Sequence, residues 1–304
     1  MNLQDLLNQA PPDTEQRVER TKKTLNRPIR EILHQETGLR LNRIGTERVS
    51  VRIEVVPGLP SSLKIRKIGP ADLLAAQLAL LTPWLQQLHE SARMLGPSLG
   101  EISPQTELQN LTRGREKSLP QISKLAEELL ALASRFDFVR WLHEVDEDVL
   151  GAYFSGSNGG MIKLYWGVIG ITAITLGVRV EDLTAVVLVH ELMHAYTHLG
   201  QDLEDQQGRG EWFPGSEREL IEGLAQYYTA IVCPYLEPYA PGAYNAYKKL
   251  LEHQPKPYQV HLPWLESFKL EEVRHALLKA RRHNLKHVAD FNDELELAQS
   301  MLRP

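Results

Sequence analysis

Apolar residues recur at helical spacing over most of the chain and alternate with polar ones over only a few short stretches. From Thr14 to about Leu39 the period is helical, but Arg17, Arg20, Lys22, Lys23, Arg27 and Arg30 load it with positive charge. Such a run reads as a solvated face or as a docking surface for a partner. Val51, Ile53 and Val55 then alternate with Arg52 and Glu54. Beyond Pro57-Gly58, Leu63 and Ile65 alternate with Lys64 and Arg66, which predicts a β-hairpin. Ala71 to Met94 is an apolar helical stretch interrupted at Pro83. Gly96 to Lys117 is rich in Pro, Ser, Thr and Gly and predicts a loop at a domain boundary. Ser118 is placed to cap the helix that follows.

In the second half, Val149 to Ser155 and Met161 to Trp166 read as two strands joined at Asn158-Gly159, a strong hairpin turn. A long helix is expected over Glu181 to Leu199, closed by Gly200 as a C′ residue. A polar segment with Gly208, Gly210, Pro214 and Gly215 follows. Ser216 and Glu219 then have the spacing of a capping box for a helix that stops near Pro234. The remainder is helical, with breaks around Pro255 to Pro263. The expectation is an α+β chain, mostly helical. Residues 1–117 form an N-terminal helical region with a hairpin, and 118–304 a second domain.

Composition narrows the class. Of 304 residues, 42% are hydrophobic and 24% charged, the balance of a soluble globular protein. The single cysteine, Cys233, permits no intramolecular disulfide, which fits a reducing compartment. No signal-peptide core stands at the start and no apolar run is long enough to span a bilayer, so the expectation is a cytoplasmic protein without a membrane partner. A net charge of −5 argues against nucleic acid. The basic run from Lys279 to His287 reads as a solvated helix face.

His190-Glu191-Leu192-Met193-His194 changes the picture, because it is an H-E-x-x-H arrangement. Positions i and i+4 share a helix face, so both imidazoles can reach one metal ion at about 2.0–2.1 Å, the usual zinc–nitrogen distance. Glu191 then sits close enough to accept a proton from a water whose pKa bound zinc has lowered towards about 7. Leu183, Val186 and Val187 make the flanking face apolar, which turns both histidines inward. A catalytic zinc needs a third protein ligand and an open position. Thr197 and Gly200 stand where the metzincin extension would need Gly and His, so that version is excluded. His198 lies too far along the same helix. Glu222 on the next helix is the leading candidate, beside Ala225, Gln226 and Thr229, with Glu219 one turn earlier as its competitor. Gln226 is either an ordinary buried amide or a hydrogen-bond partner for a ligand histidine.

HELMH followed by EGLAQYY resembles the gluzincin group of zinc metallopeptidases over about Leu150 to Leu236. The resemblance implies Zn²⁺ held by His190, His194 and Glu222, with Glu191 as general base and a peptide or protein as substrate. It implies a zincin-like half, a small, mainly antiparallel sheet packed on the metal-binding helices, in which substrate lies along an edge strand, expected at Met161 to Trp166. Gluzincins also stabilise the oxyanion with a Tyr, His or Arg from further along; Tyr258 and His261 are the candidates. Gluzincin aminopeptidases carry Gly-x-Met-Glu-Asn on the edge strand, whereas Gly159-Gly160-Met161-Ile162-Lys163 lacks the carboxylate, which points to an endopeptidase. Asp202, Glu204 and Asp205 lie between the two metal helices and point to cationic substrates. Two rival functions share these residues, a zinc hydrolase of a non-peptide bond and a silent metal-binding regulator.

Overall fold

Every residue from Leu183 to Thr197 is buried. A helix apolar on all sides belongs at the centre of a fold, with neighbours around it. The computed structural model describes residues 10–41, 50–57, 70–100, 118–134, 137–145, 149–156, 159–202 and 212–302. Its elements are α1 (Thr14–Thr37), β1 (Ser50–Val56), α2 (Pro70–Gly100), α3 (Ser118–Ala133) and α4 (Phe138–Val145). Then come β2 (Gly151–Gly156), β3 (Gly159–Tyr165), α5 (Trp166–Leu176) and α6 (Val180–Leu199), the central helix. After these follow α7 (Trp212–Gly215), α8 (Arg218–Tyr235), α9 (Ala243–Leu251) and a 3₁₀ turn (Lys256–Gln259). The chain continues through α10 (Leu262–Ser267), α11 (Leu270–His283) and α12 (Val288–Leu302). It is mostly helical with one small mixed sheet, as an α+β reading requires.

The strand order is β1-β3-β2, with β1 parallel and β2 antiparallel to β3. This corrects the expected mainly antiparallel sheet, which is mixed because β1 joins β3 in parallel, and it corrects the expected edge. Met161 to Tyr165 lies in the middle of the sheet, and β2 is the edge that faces α6. The expected partner of β1, around Leu63 to Arg66, lies outside the described residues, as do Asn158 and the core of the expected loop, 101–117. Sheet and core draw on residues from both sides of position 117.

Val18, Leu25, Ile29 and Leu33 form the buried stripe of α1, and its basic face is partly structural. Arg17 donates to both oxygens of Glu181 at 2.8 and 2.7 Å, and Arg30 donates to the Val51 carbonyl at 3.0 Å. The Tyr196 hydroxyl donates to the Arg30 carbonyl at 2.7 Å. Hence α1 is tied to both ends of α6.

Three local expectations change. The helix runs through Pro83, which lies on its exposed side. Gly200 is extended (φ −64°, ψ 141°) rather than left-handed, because the chain goes straight into a bridge between Arg40 and Gln201. No capping box forms at α8: Glu217 is the N-cap, Glu219 is exposed, and the Ser216 hydroxyl donates to the Trp212 carbonyl at 2.6 Å. Among the described residues, no helix is long and apolar enough to cross a membrane.

The Arg17–Glu181 pair gives a pH dependence. Its hydrogen bonds with Arg17 hold the Glu181 carboxyl down at about 2. A depressed carboxyl stabilises the fold above its unfolded value, near 4.5, and loses that contribution as pH falls towards 2. Discounted for partial exposure, the pair is worth about 1 kcal/mol. Thermal melts of Glu181→Gln should therefore fall below the native protein at pH 7, with the gap narrowing below about pH 4.5 and closing only below about pH 2. A constant gap across that range would mean that the pair contributes through packing alone.

Candidate metal centre

Two packed helices build the site. On α6, His190 and His194 sit one turn apart and face α8, whose Glu222 side chain points back between them. His190 Nε2 lies 3.1 Å from Glu222 Oε2 and 3.0 Å from His194 Nε2. His194 Nε2 is 3.6 Å from the same carboxylate oxygen. All three residues are buried. They form the one group among the described residues that could hold a metal ion through three such donors. Four ligands at about 2.0–2.1 Å in a tetrahedron stand about 3.3 Å apart, so the observed triangle matches one tetrahedral face. Between the two carboxylate candidates the choice is geometric: Glu222 joins the triangle, while Glu219 points to solvent.

The electrostatics agree with the donor states that a metal requires. Burial pushes the His190 imidazole below its ordinary pKa, which favours its neutral form. Burial alone would raise Glu222, but the interactions with His194 and His190 outweigh it and hold the carboxyl well below the usual range.

Glu191 lies outside the triangle, against the edge strand. A methyl group at Gly151 would stand 2.7 Å from Val187 Cγ1 and 2.9 Å from Glu191 Cγ, so glycine is what lets β2 approach α6 here. Two cavities flank the histidines. An inner one of about 20 Å³, lined by Gly151, His190, Glu191, Gln226 and Tyr258, has room for one water molecule. An outer cleft of about 240 Å³ is lined by Tyr153, His194, Phe213, Arg218 and Glu222.

The secondary candidates separate. Tyr258 is brought to the site, its ring stacked on His190 with centroids 5.8 Å apart. His261 lines neither cavity: it is buried with Nε2 2.5 Å from the Tyr247 hydroxyl, and burial pushes its pKa down to about 4. Gln226 lines the inner cavity but donates to Gln254 at 3.0 Å, not to a ligand histidine. His198 stacks on Phe213 and lies 3.0 Å from the Tyr153 hydroxyl. Asp202 is buried and accepts from Arg282 at 2.8 Å, so it presents no free charge to a substrate, and Glu204 and Asp205 lie outside the described residues.

Arg218 is a site residue that the sequence reading did not single out. It lies one turn before Glu222, lines the outer cleft and places its guanidinium 6.0 Å from the centre of the Tyr258 ring. Its sequence signal is the i−4 spacing from the Glu222 carboxylate, which places both on one face of α8. The chain matches no family model, no curated protein and no solved structure.

Proposed function

We propose that this protein is a zinc-dependent peptidase that cleaves inside polypeptide chains. The observation that carries the reading is the buried His190–His194–Glu222 triangle with the Glu191 carboxylate beside it, between that triangle and a sheet edge. Two imidazole nitrogens and one carboxylate oxygen are the donor set of a catalytic zinc with a position left open. Bound there, zinc would act as a Lewis acid, lowering the pKa of water and polarising a carbonyl.

The chain's own residues supply the rest. Glu191 is placed to take a proton and return it to the leaving amine. Tyr153 of β2 lines the outer cleft, so a peptide can extend along this edge and pair through its backbone. Arg218 and Tyr258 offer donors for the negative charge that develops on the scissile carbonyl oxygen. A pair of metal helices beside a sheet edge is also the arrangement that the gluzincin resemblance implies, with β2 in the role first expected of Met161 to Trp166.

That shift of edge moves the argument about the amino terminus to other residues. The edge strand reads Gly151-Ala152-Tyr153-Phe154-Ser155-Gly156 and holds no carboxylate to anchor a free amine. A peptide library digested with and without a chelator tests the reading. Internal cuts that stop on chelation are expected, at equal rates for a free-amine peptide and its N-acetylated twin. Release of single N-terminal residues from the free peptide alone would sink the endopeptidase assignment. A zinc-loaded protein that cuts no peptide in the library would sink the peptidase assignment altogether.

A further inference from the structure

The hairpin of α2 and α3 carries more apolar surface than its own packing uses. Leu78, Leu85 and Ala92 of α2 and Ala126 and Ala133 of α3 are buried. A second stripe remains in solvent. Leu74, Leu81, Leu88 and Leu95 recur at every seventh residue of α2 and are 55%, 49%, 48% and 51% exposed, with Trp84 beside them at 72%. On α3, Ile122, Leu125 and Leu132 are 37%, 57% and 42% exposed, and the partly buried Leu129 completes the three–four spacing.

Together these exposed side chains leave roughly 800 Å² of surface open, about what one partner brings to a standard protein interface. Single chains rarely leave apolar patches larger than about 300–600 Å² exposed. The seven-residue repeat narrows the occupant to another helix, because a period of 3.5 follows a helix wound around its neighbour and not a flat surface. Charge weighs against a lipid surface. Among the described side chains, the exposed charges of the two helices are Glu90, Glu127 and Glu128 against Arg93 and Lys124, whereas helices that lie on anionic membranes are rich in Lys and Arg.

We propose that a second copy of this chain covers the stripe, the two hairpins closing into a four-helix bundle about a twofold axis. A stripe of leucines is self-complementary, as an interface between identical partners must be. The bundle uses surface that the metal centre does not, so the assignment stands or falls independently of the chemistry.

Light scattering across a concentration series tests it. A mass of twice 34.6 kDa is expected for the native chain. Leu81→Glu combined with Leu88→Glu should give the monomer with an unchanged helical circular dichroism spectrum. Because Cys233 is buried, single cysteines placed along the stripe report on the interface without competition. Under mild oxidation, Leu81→Cys or Leu88→Cys should form a disulfide-linked dimer while Leu297→Cys, exposed on α12, does not. This readout decides the matter even if the double glutamate variant loses its fold. A native chain that stays monomeric throughout, a dimer that survives both glutamates in a folded variant, or equal cross-linking at Leu297 would overturn the proposal. So would a monomer that binds vesicles of neutral or anionic phospholipid through this stripe.

Discussion

Glu191→Gln should retain about one zinc ion per chain while peptide hydrolysis falls by a factor on the order of 10²–10⁴, the usual contribution of a general base. The substitution keeps the shape of a buried side chain that fits against Gly151, so the packing of β2 on α6 is preserved. It removes the carboxylate, and an amide cannot take up the proton that hydrolysis releases. His190→Ala or His194→Ala should instead empty the site, because each deletes a corner of the triangle. Elemental analysis of the metal beside kcat on one peptide separates the two roles. Zinc lost from Glu191→Gln but kept in both histidine variants would reverse the assignment of base and ligand.

The parts of this site that the sequence made legible are those written in local spacing. The i, i+4 histidines follow from helical geometry, and their inward direction follows from the apolar flank of Leu183, Val186 and Val187. Glu222 shares its face with Ala225, Gln226 and Thr229, but Glu219 lies on a similar face, and the sequence sets it aside only by giving it to a capping box that does not form. Long-range pairing was not legible. Nothing in Val51 to Val55 announces that β1 will lie parallel to a strand more than 100 residues later, and that single pairing moves β3 to the middle and leaves β2 as the edge. Helix α5 shows the complementary failure. Gly167 to Ala173 are all buried, so this segment has no polar face, and without one the 3.6-residue period that identifies a helix disappears. Capping chemistry misled in a third way. Ser216 and Glu219 have the spacing of a capping box, but tertiary contacts took precedence, and Glu217 Oε1 lies 2.7 Å from His287 Nδ1 while its other oxygen accepts the Val288 amide. His261 looked like an available imidazole because a sequence does not show that Tyr247 stands against it.

The proposed third ligand, Glu222, gives the sharpest test of the packing of α8 on α6. Glu222→Ala should weaken zinc binding by well over 100-fold, beyond the roughly 10–100-fold that loss of a supporting residue costs. Glu219→Ala should leave zinc binding unchanged. Because Glu219 is exposed and caps nothing, stability should also move by no more than about 0.5 kcal/mol. Chelation provides a readout that does not depend on turnover. A ligand that binds only the folded state stabilises it by RT ln(1 + [L]/Kd), about 4 kcal/mol at a thousandfold excess over Kd. Chelation should therefore lower the melting temperature of the native protein and of Glu219→Ala. It should leave Glu222→Ala where it began. The apo proteins add a second contrast. With no metal present, Glu222 is a buried carboxylate between two imidazoles, and removing it relieves a desolvation cost even as it deletes hydrogen bonds to His190. Apo Glu222→Ala should consequently melt closer to the native apo protein than the holo forms do to each other. Chelator-sensitive melting in Glu222→Ala together with its loss in Glu219→Ala would mean that α8 meets the histidines one turn away from the register described above.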